Sequence, residues 1–173
     1  RKELQNILGW WSARMIDLKN GGFYGLVDGH GSLHPEADKG VILNTRILWA
    51  FSAAARQTGL AEYRTIAERA FDYLLEYFWD KKHGGMYWML DFRGQATQPK
   101  KQVYAQAFAV YALSEYYLLT RRPEAIERAR QLFQLIEKHS RDTANGGYFE
   151  AFSRDWSPLE DLRLSDKDAN EAK

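Results

Sequence analysis

The chain has 173 residues, 45% of them apolar, which is enough for one substantial core. Its 24 lysines and arginines nearly balance 23 acidic residues, and the net charge of +1 carries no basic stripe or acidic tail, so nucleic acid and a membrane surface are excluded as main partners. Cysteine is absent, and neither a long apolar run nor a signal-peptide pattern occurs, so disulfides and thiolate metal sites are excluded and a cytoplasmic protein is expected.

The first predicted element is an amphipathic helix, in which Leu4, Ile7, Leu8, Trp11 and Met15 recur at three- and four-residue steps. Gly21-Gly22 ends it, and residues 23–27 then alternate like a short strand. Residues 39–57 predict a different helix, with Val41, Ile42, Leu43, Ile47, Leu48, Trp49 and Phe51 around its circumference, so burial on most sides is expected. Residues 62–79 return to a one-sided stripe of Tyr63, Ile66, Ala70, Phe71, Leu74 and Phe78. Gly84-Gly85 and a second alternating stretch, 86–90, lead to a second all-round apolar helix over 102–119. Pro123 suits the first position of a third amphipathic helix, carried by Ile126, Ala129, Leu132, Phe133 and Ile136. Gly146-Gly147 closes that unit, and a sixth helix is predicted to start near Ser165.

The Gly-Gly pairs recur at a period near sixty residues, each followed by aromatic or apolar residues. Glycine supplies the positive φ needed to leave a helix, so a hairpin is expected at each mark. Outer amphipathic helices alternating with inner apolar ones give a double-layered α/α toroid, all-α apart from the hairpins. A closed ring of six such units needs roughly twice this chain, because repeat units bury their cores only against neighbours. Residues 1–173 are therefore expected to be a single, incomplete barrel domain, and an open stack of three units would leave its inner layer partly bare.

Polar residues gather at the N-terminal ends of the inner helices: Asn44, Thr45 and Arg46 in one, Lys101, Gln102, Tyr104 and Gln106 in the other. A guanidinium inside an apolar helix needs a partner or a wet cavity. Arg46 has two readings, a salt bridge to Asp28 or Asp38, or a cationic arm over a pocket holding an oxygen that becomes negative. Tyr104 is either core or a ligand contact. Trp49, one turn beyond Arg46, is the best candidate for a pocket wall, with Trp88 weaker. His30 and His34 lack an evident third ligand, so no metal site is expected. His83 and His139 read as structural. Asp28, Asp38 and Asp91 leave a carboxylate pair open.

Residues 21–28 (Gly-Gly-Phe-Tyr-Gly-Leu-Val-Asp), Lys39-Gly40, 44–52 (Asn-Thr-Arg-Ile-Leu-Trp-Ala-Phe-Ser) and 103–108 (Val-Tyr-Ala-Gln-Ala-Phe) resemble the N-terminal half of the N-acylglucosamine 2-epimerase superfamily, and most of all its cellobiose 2-epimerase branch. The resemblance implies an (α/α)6 barrel and inversion at C2 of the reducing-end sugar of β-1,4-linked disaccharides such as cellobiose and lactose, through a cis-enediol and without a cofactor. By the same resemblance Arg46 is an active-site arginine and Tyr104 a sugar-contacting tyrosine. The family's acid/base histidines and their supporting glutamate match nothing in this chain, which is expected to be inactive alone. A small-molecule sugar is the expected partner, and a monomer the expected full-length state. An aldose–ketose isomerase of the same superfamily, a glycoside hydrolase using two mouth carboxylates, and a non-catalytic helical binding scaffold are the competing readings.

Overall fold

The structure, a computed structural model, describes residues 2–164; the sixth helix expected near Ser165 lies outside them. Among the described residues there are five α-helices: α1 (Lys2–Arg14), α2 (Val41–Thr58), α3 (Ala61–Tyr73), α4 (Val103–Thr120) and α5 (Pro123–His139). The inner helices α2 and α4 pack side by side, with α3 against α2 and α5 against α4. The ring of Phe71 on α3 stacks on Tyr116 of α4, 4.4 Å between centroids, and so ties the layers together. Leu8 and Met15 anchor the first amphipathic segment to the core, while Leu4, Ile7 and Trp10 stay exposed.

Helix ends follow local chemistry. Gly59 (φ 73°) turns the chain out of α2 and donates its N–H to the Ala55 carbonyl. Arg121 does the same for α4 at φ 58°, a conformation that costs a non-glycine residue about 1–2 kcal/mol. Pro123 occupies the first turn of α5, where its missing N–H costs nothing. The helix expected over 62–79 runs as α3 and then widens, through residues 74–78, into a π turn in which Trp79 N–H reaches the Leu74 carbonyl.

Each Gly-Gly mark is a hairpin, joined by the bridges Ile16–Phe23, Trp79–Met86 and Arg141–Tyr148. Both glycines of every pair have positive φ. At Gly22 (φ 61°) an added Cβ would also meet the Tyr73 ring at 2.7 Å, so φ and space both demand glycine there.

Short strands stitch consecutive units together. β1 (Lys39–Gly40) enters α2 and pairs antiparallel with β2 (Met89–Leu90) of the next unit, which pairs in turn with β3 (Ala96–Gln98). In the same way β4 (Lys101–Gln102) enters α4 and pairs with β5 (Ala151–Phe152). The strand leading into an inner helix is thus fixed by the hairpin of the following unit.

Candidate active site

The sequence repeat is tighter than its glycines. An aspartate stands four residues before each pair, at Asp17, Asp80 and Asp142, and builds the same turn every time. Its carboxylate accepts two backbone N–H groups: those of Lys19 and Asn20, of Lys82 and His83, and of Ala144 and Asn145. Its own N–H donates to the carbonyl of the second glycine.

In the first two units a lysine reaches this aspartate from the strand before the inner helix. Lys39 Nζ lies 2.9 Å from Asp17 Oδ2, and Lys101 Nζ lies 3.1 Å from Asp80 Oδ2, with all four side chains fully buried. Lys39 also donates to the Gly21 carbonyl at 2.7 Å. Asp80 takes a further cation, Arg154, from the third unit, through Nε at 3.0 Å. Burial pulls both lysines below their ordinary value, against the pull of their aspartates. Burial also works to raise Asp80, but Arg154, the Lys82 N–H and Lys101 hold it well below the usual carboxylate range.

Most of the polar cluster expected at the mouth is therefore spent on the fold. Gln106 forms a two-way amide pair with the Met86 backbone, at 2.7 and 2.9 Å. Gln102 donates to the Arg163 carbonyl, Asn44 to the Gly40 carbonyl and Thr45 to the Ile42 carbonyl. Arg46 and Tyr104 remain on the open inner face, both exposed. Arg46 pairs with neither Asp28 nor Asp38; its Nη2 donates to Tyr104 Oη at 3.3 Å, and its guanidinium lies 4.8 Å from the Phe108 ring centroid.

Below this pair the two helices stay in step. Trp49 stacks on Tyr111, 5.2 Å between centroids and 15° from parallel, and Arg56 Nε meets Glu115 Oε1 at 2.8 Å. Contacts from N-terminus to N-terminus and from C-terminus to C-terminus show that α2 and α4 are parallel, so both N-terminal ends share one mouth. The inner helices are not buried all round, because the face bearing Arg46, Tyr104 and Tyr111 is open. Tyr111 and Glu115 went unremarked in sequence, yet they fall seven and eleven places after Tyr104, on one helical face with Phe108.

A further group at the mouth also went unremarked. Gln102, just before α4, gives no side-chain cap; Glu150 supplies it instead, accepting the Val103 N–H on its carbonyl at 2.7 Å and the Tyr104 N–H on Oε1 at 3.0 Å. Burial pushes the Glu150 carboxyl up, opposed by that N–H and by Lys100.

The remaining candidates are held elsewhere. Asp28 is folded into its own loop on the His30 and Ser32 N–H groups and His34 Nε2. Asp91 closes its turn on the Arg93 and Gln95 N–H groups. His139 stacks on Trp156 at 5.0 Å, and His83 sits in the Asp80 turn. Among the described residues no cluster of three His, Asp or Glu could hold a metal, and no helix is long and apolar enough to cross a membrane.

Two layers of helices joined by repeated hairpins, with parallel inner helices opening on one mouth, define an α/α toroid. The chain belongs to the N-acylglucosamine 2-epimerase (GlcNAc 2-epimerase) family, which matches residues 21–167. It is 51% identical to the cellobiose 2-epimerase of Bacteroides fragilis, over the whole of this chain and 44% of that protein. The solved structure of cellobiose 2-epimerase from Bacillus thermoamylovorans superposes with a TM-score of 0.90 at 41% identity, over 95% of this chain and 44% of that one. The D-mannose isomerase of Marinomonas mediterranea is 27% identical over 92% of this chain and 40% of that protein. The chain thus spans less than half the length of the relatives it matches.

Proposed function

We propose that the protein carrying this chain is a sugar 2-epimerase that inverts C2 of the reducing-end glucose in β-1,4-linked disaccharides such as cellobiose and lactose, through a cis-enediol. The observation that carries this reading is the Arg46–Tyr104 pair, left open on the inner face while the neighbouring polar groups serve the fold. Membership of the epimerase family supports it.

The C2–H beside the aldehyde of an opened sugar is a weak acid, so its removal needs a base and a stabilised enediolate. Arg46 is the catalytic group on this chain: its fixed charge steadies O1 and O2 as negative charge develops there. Tyr104, bonded to it, positions the ring, and Trp49 stands as the wall behind them with one face on Tyr111. Inversion takes the proton from one face of C2 and returns one to the other, so two proton-transfer groups are needed. An arginine stays protonated and cannot be either. His34 bonded to Asp28, and His139 stacked on Trp156, are engaged elsewhere, so the bases are assigned to the part of the relatives that this chain does not span. The 173 residues, as one incomplete barrel domain, are accordingly inactive alone. The intact protein works as a cytoplasmic monomer without a cofactor.

A second reading, aldose–ketose isomerisation, draws on the likeness to D-mannose isomerase and uses the same enediolate and the same arginine. Product analysis of the intact protein with cellobiose separates the two. A mannose-containing 2-epimer is expected; a ketose establishes the second reading, and no product refutes both.

A further inference from the structure

The two inner helices start in step, so equal places on them lie side by side. Arg46 stands seven places after Lys39 and Phe108 seven after Lys101; Trp49 and Tyr111 each stand ten after the same lysines. The second couple meets as the parallel ring stack. The first meets as a cation on a ring, with the Arg46 guanidinium over Phe108, 4.8 Å from its centroid. Phe108 also lies one turn after Tyr104 on α4, and long helical side chains lean back towards the N-terminus. Its ring therefore meets Tyr104 edge to face, 4.9 Å between centroids and 69° apart. With the hydrogen bond from Arg46 Nη2 to Tyr104 Oη, the three side chains close a triangle in which each meets the other two.

Other cations of these helices and their entering strands are held by carboxylates. Arg56, further along α2, gives its Nε–H to Glu115, and Lys39 and Lys101 are balanced by Asp17 and Asp80. Arg46 makes no ion pair among the described residues, and its bond to Tyr104 uses one of the five N–H groups of a guanidinium. The negative face of an aromatic ring attracts a cation without accepting its in-plane N–H groups and without cancelling its charge. Such a support holds a long side chain in place and leaves the remaining donors for a ligand.

We infer that Phe108 is a positioning residue for the sugar reaction: its ring holds the Arg46 guanidinium at the mouth, charged and with donors to spare, for the oxygens that become negative in the enediolate. A carboxylate in the same place would hold the arginine and quench it. Phe108 acts through Arg46, and through its edge contact with Tyr104, rather than on a reacting atom. This rests on the reading of Arg46 as the group that stabilises the enediolate.

The test measures kcat and KM of the intact protein on cellobiose, for Phe108→Leu and for Phe108 replaced by mono-, di- and trifluorophenylalanine, with a thermal melt of each. Fluorine draws charge from the ring face while hardly changing its size, so a packing role would not respond to it. Phe108→Leu is expected to lower kcat about tenfold, and the fluorinated rings to lower it stepwise by about twofold per fluorine, at unchanged melting temperature, as for a cation–π contact at a partly open site. KM should stay within about twofold, because the arginine is needed most where charge develops. An unchanged kcat along the fluorine series overturns the proposal, whatever Phe108→Leu does, and marks the ring as packing alone. A kcat that falls only as the melting temperature falls overturns it too. A wild type that does not turn over cellobiose overturns the sugar reading itself, and this role of Phe108 with it, a result distinct from a flat fluorine series.

Discussion

Lys39 stands seven residues before Arg46 and Lys101 only three before Tyr104, each lysine on the strand that enters an inner helix, yet lysines and inner-face residues belong to two different regions. Behind the helix ends a hairpin aspartate lies within 2.9–3.1 Å of each lysine, and both lysine–aspartate pairs are fully buried. On the inner face no such carboxylate stands against Arg46, which has a tyrosine hydroxyl, a phenyl ring and open space. The difference teaches that a cation at these positions is structural or functional according to what the neighbouring hairpin offers it. These buried lysine–aspartate pairs act as staples that hold the strands from which α2 and α4 start, and so support the placing of Arg46 and Tyr104 across the mouth.

The sharpest way to break this contrast is to remove an aspartate. Asp80→Ala leaves Lys101 buried without its carboxylate, and a loss of about 3–5 kcal/mol is expected in urea unfolding, as for other broken buried pairs. Asp17→Ala should cost somewhat less, since Lys39 keeps the Gly21 carbonyl and Asp17 lacks a counterpart to the Arg154 contact.

The glycine marks give a smaller, graded effect. Gly22→Ala meets both the positive φ and the Tyr73 ring, so about 2–4 kcal/mol is expected. Gly146→Ala, with nothing within 4 Å of the added Cβ, should cost about 1–2 kcal/mol from φ alone. Equal losses in thermal melts would mean that the close approach at Gly22 is not binding.

Acid sharpens the same contrast. The Asp80 carboxyl is held below its ordinary value of 3.8, so the stability it contributes is present above that pH and is lost as pH falls through its folded value. Unfolding midpoints measured from about pH 5 down to about pH 2 should fall for the wild type and fall less steeply for Asp80→Asn. The smallest effect belongs to the exposed end of the inner face. Arg56→Ala breaks a partly exposed pair with Glu115 and should cost under about 1 kcal/mol in the same urea assay.

Much of this was legible in the sequence, for definite reasons. The one-sided stripes of α3 and α5 and the all-round apolarity of α4 follow from local periodicity, and the Gly-Gly hairpins from backbone sterics. The staples were hidden because Asp17 and Lys39 are joined across 22 residues of turn and loop, although the aspartate four places before each glycine pair was a repeat open to reading. Arg46 and Tyr104 could be named individually. Their contact spans 58 residues and depends on α2 and α4 being parallel, which no local pattern states. The π turn at the end of α3 left no signal in the periodicity. Nor did the role of Glu150, whose partner N–H lies 46 residues away.

The most direct measurement of the central claim is product formation from cellobiose by the intact protein and its Arg46→Ala variant, followed by NMR of the reducing-end anomeric protons, with a thermal melt of each. The expected result is a mannose-containing epimer from the wild type and a rate at least about 100-fold lower from the variant, as when an oxyanion-stabilising group is lost, at an unchanged melting temperature. A variant that keeps its rate, or one that loses rate only by unfolding, contradicts the assignment of Arg46 to the open, functional face.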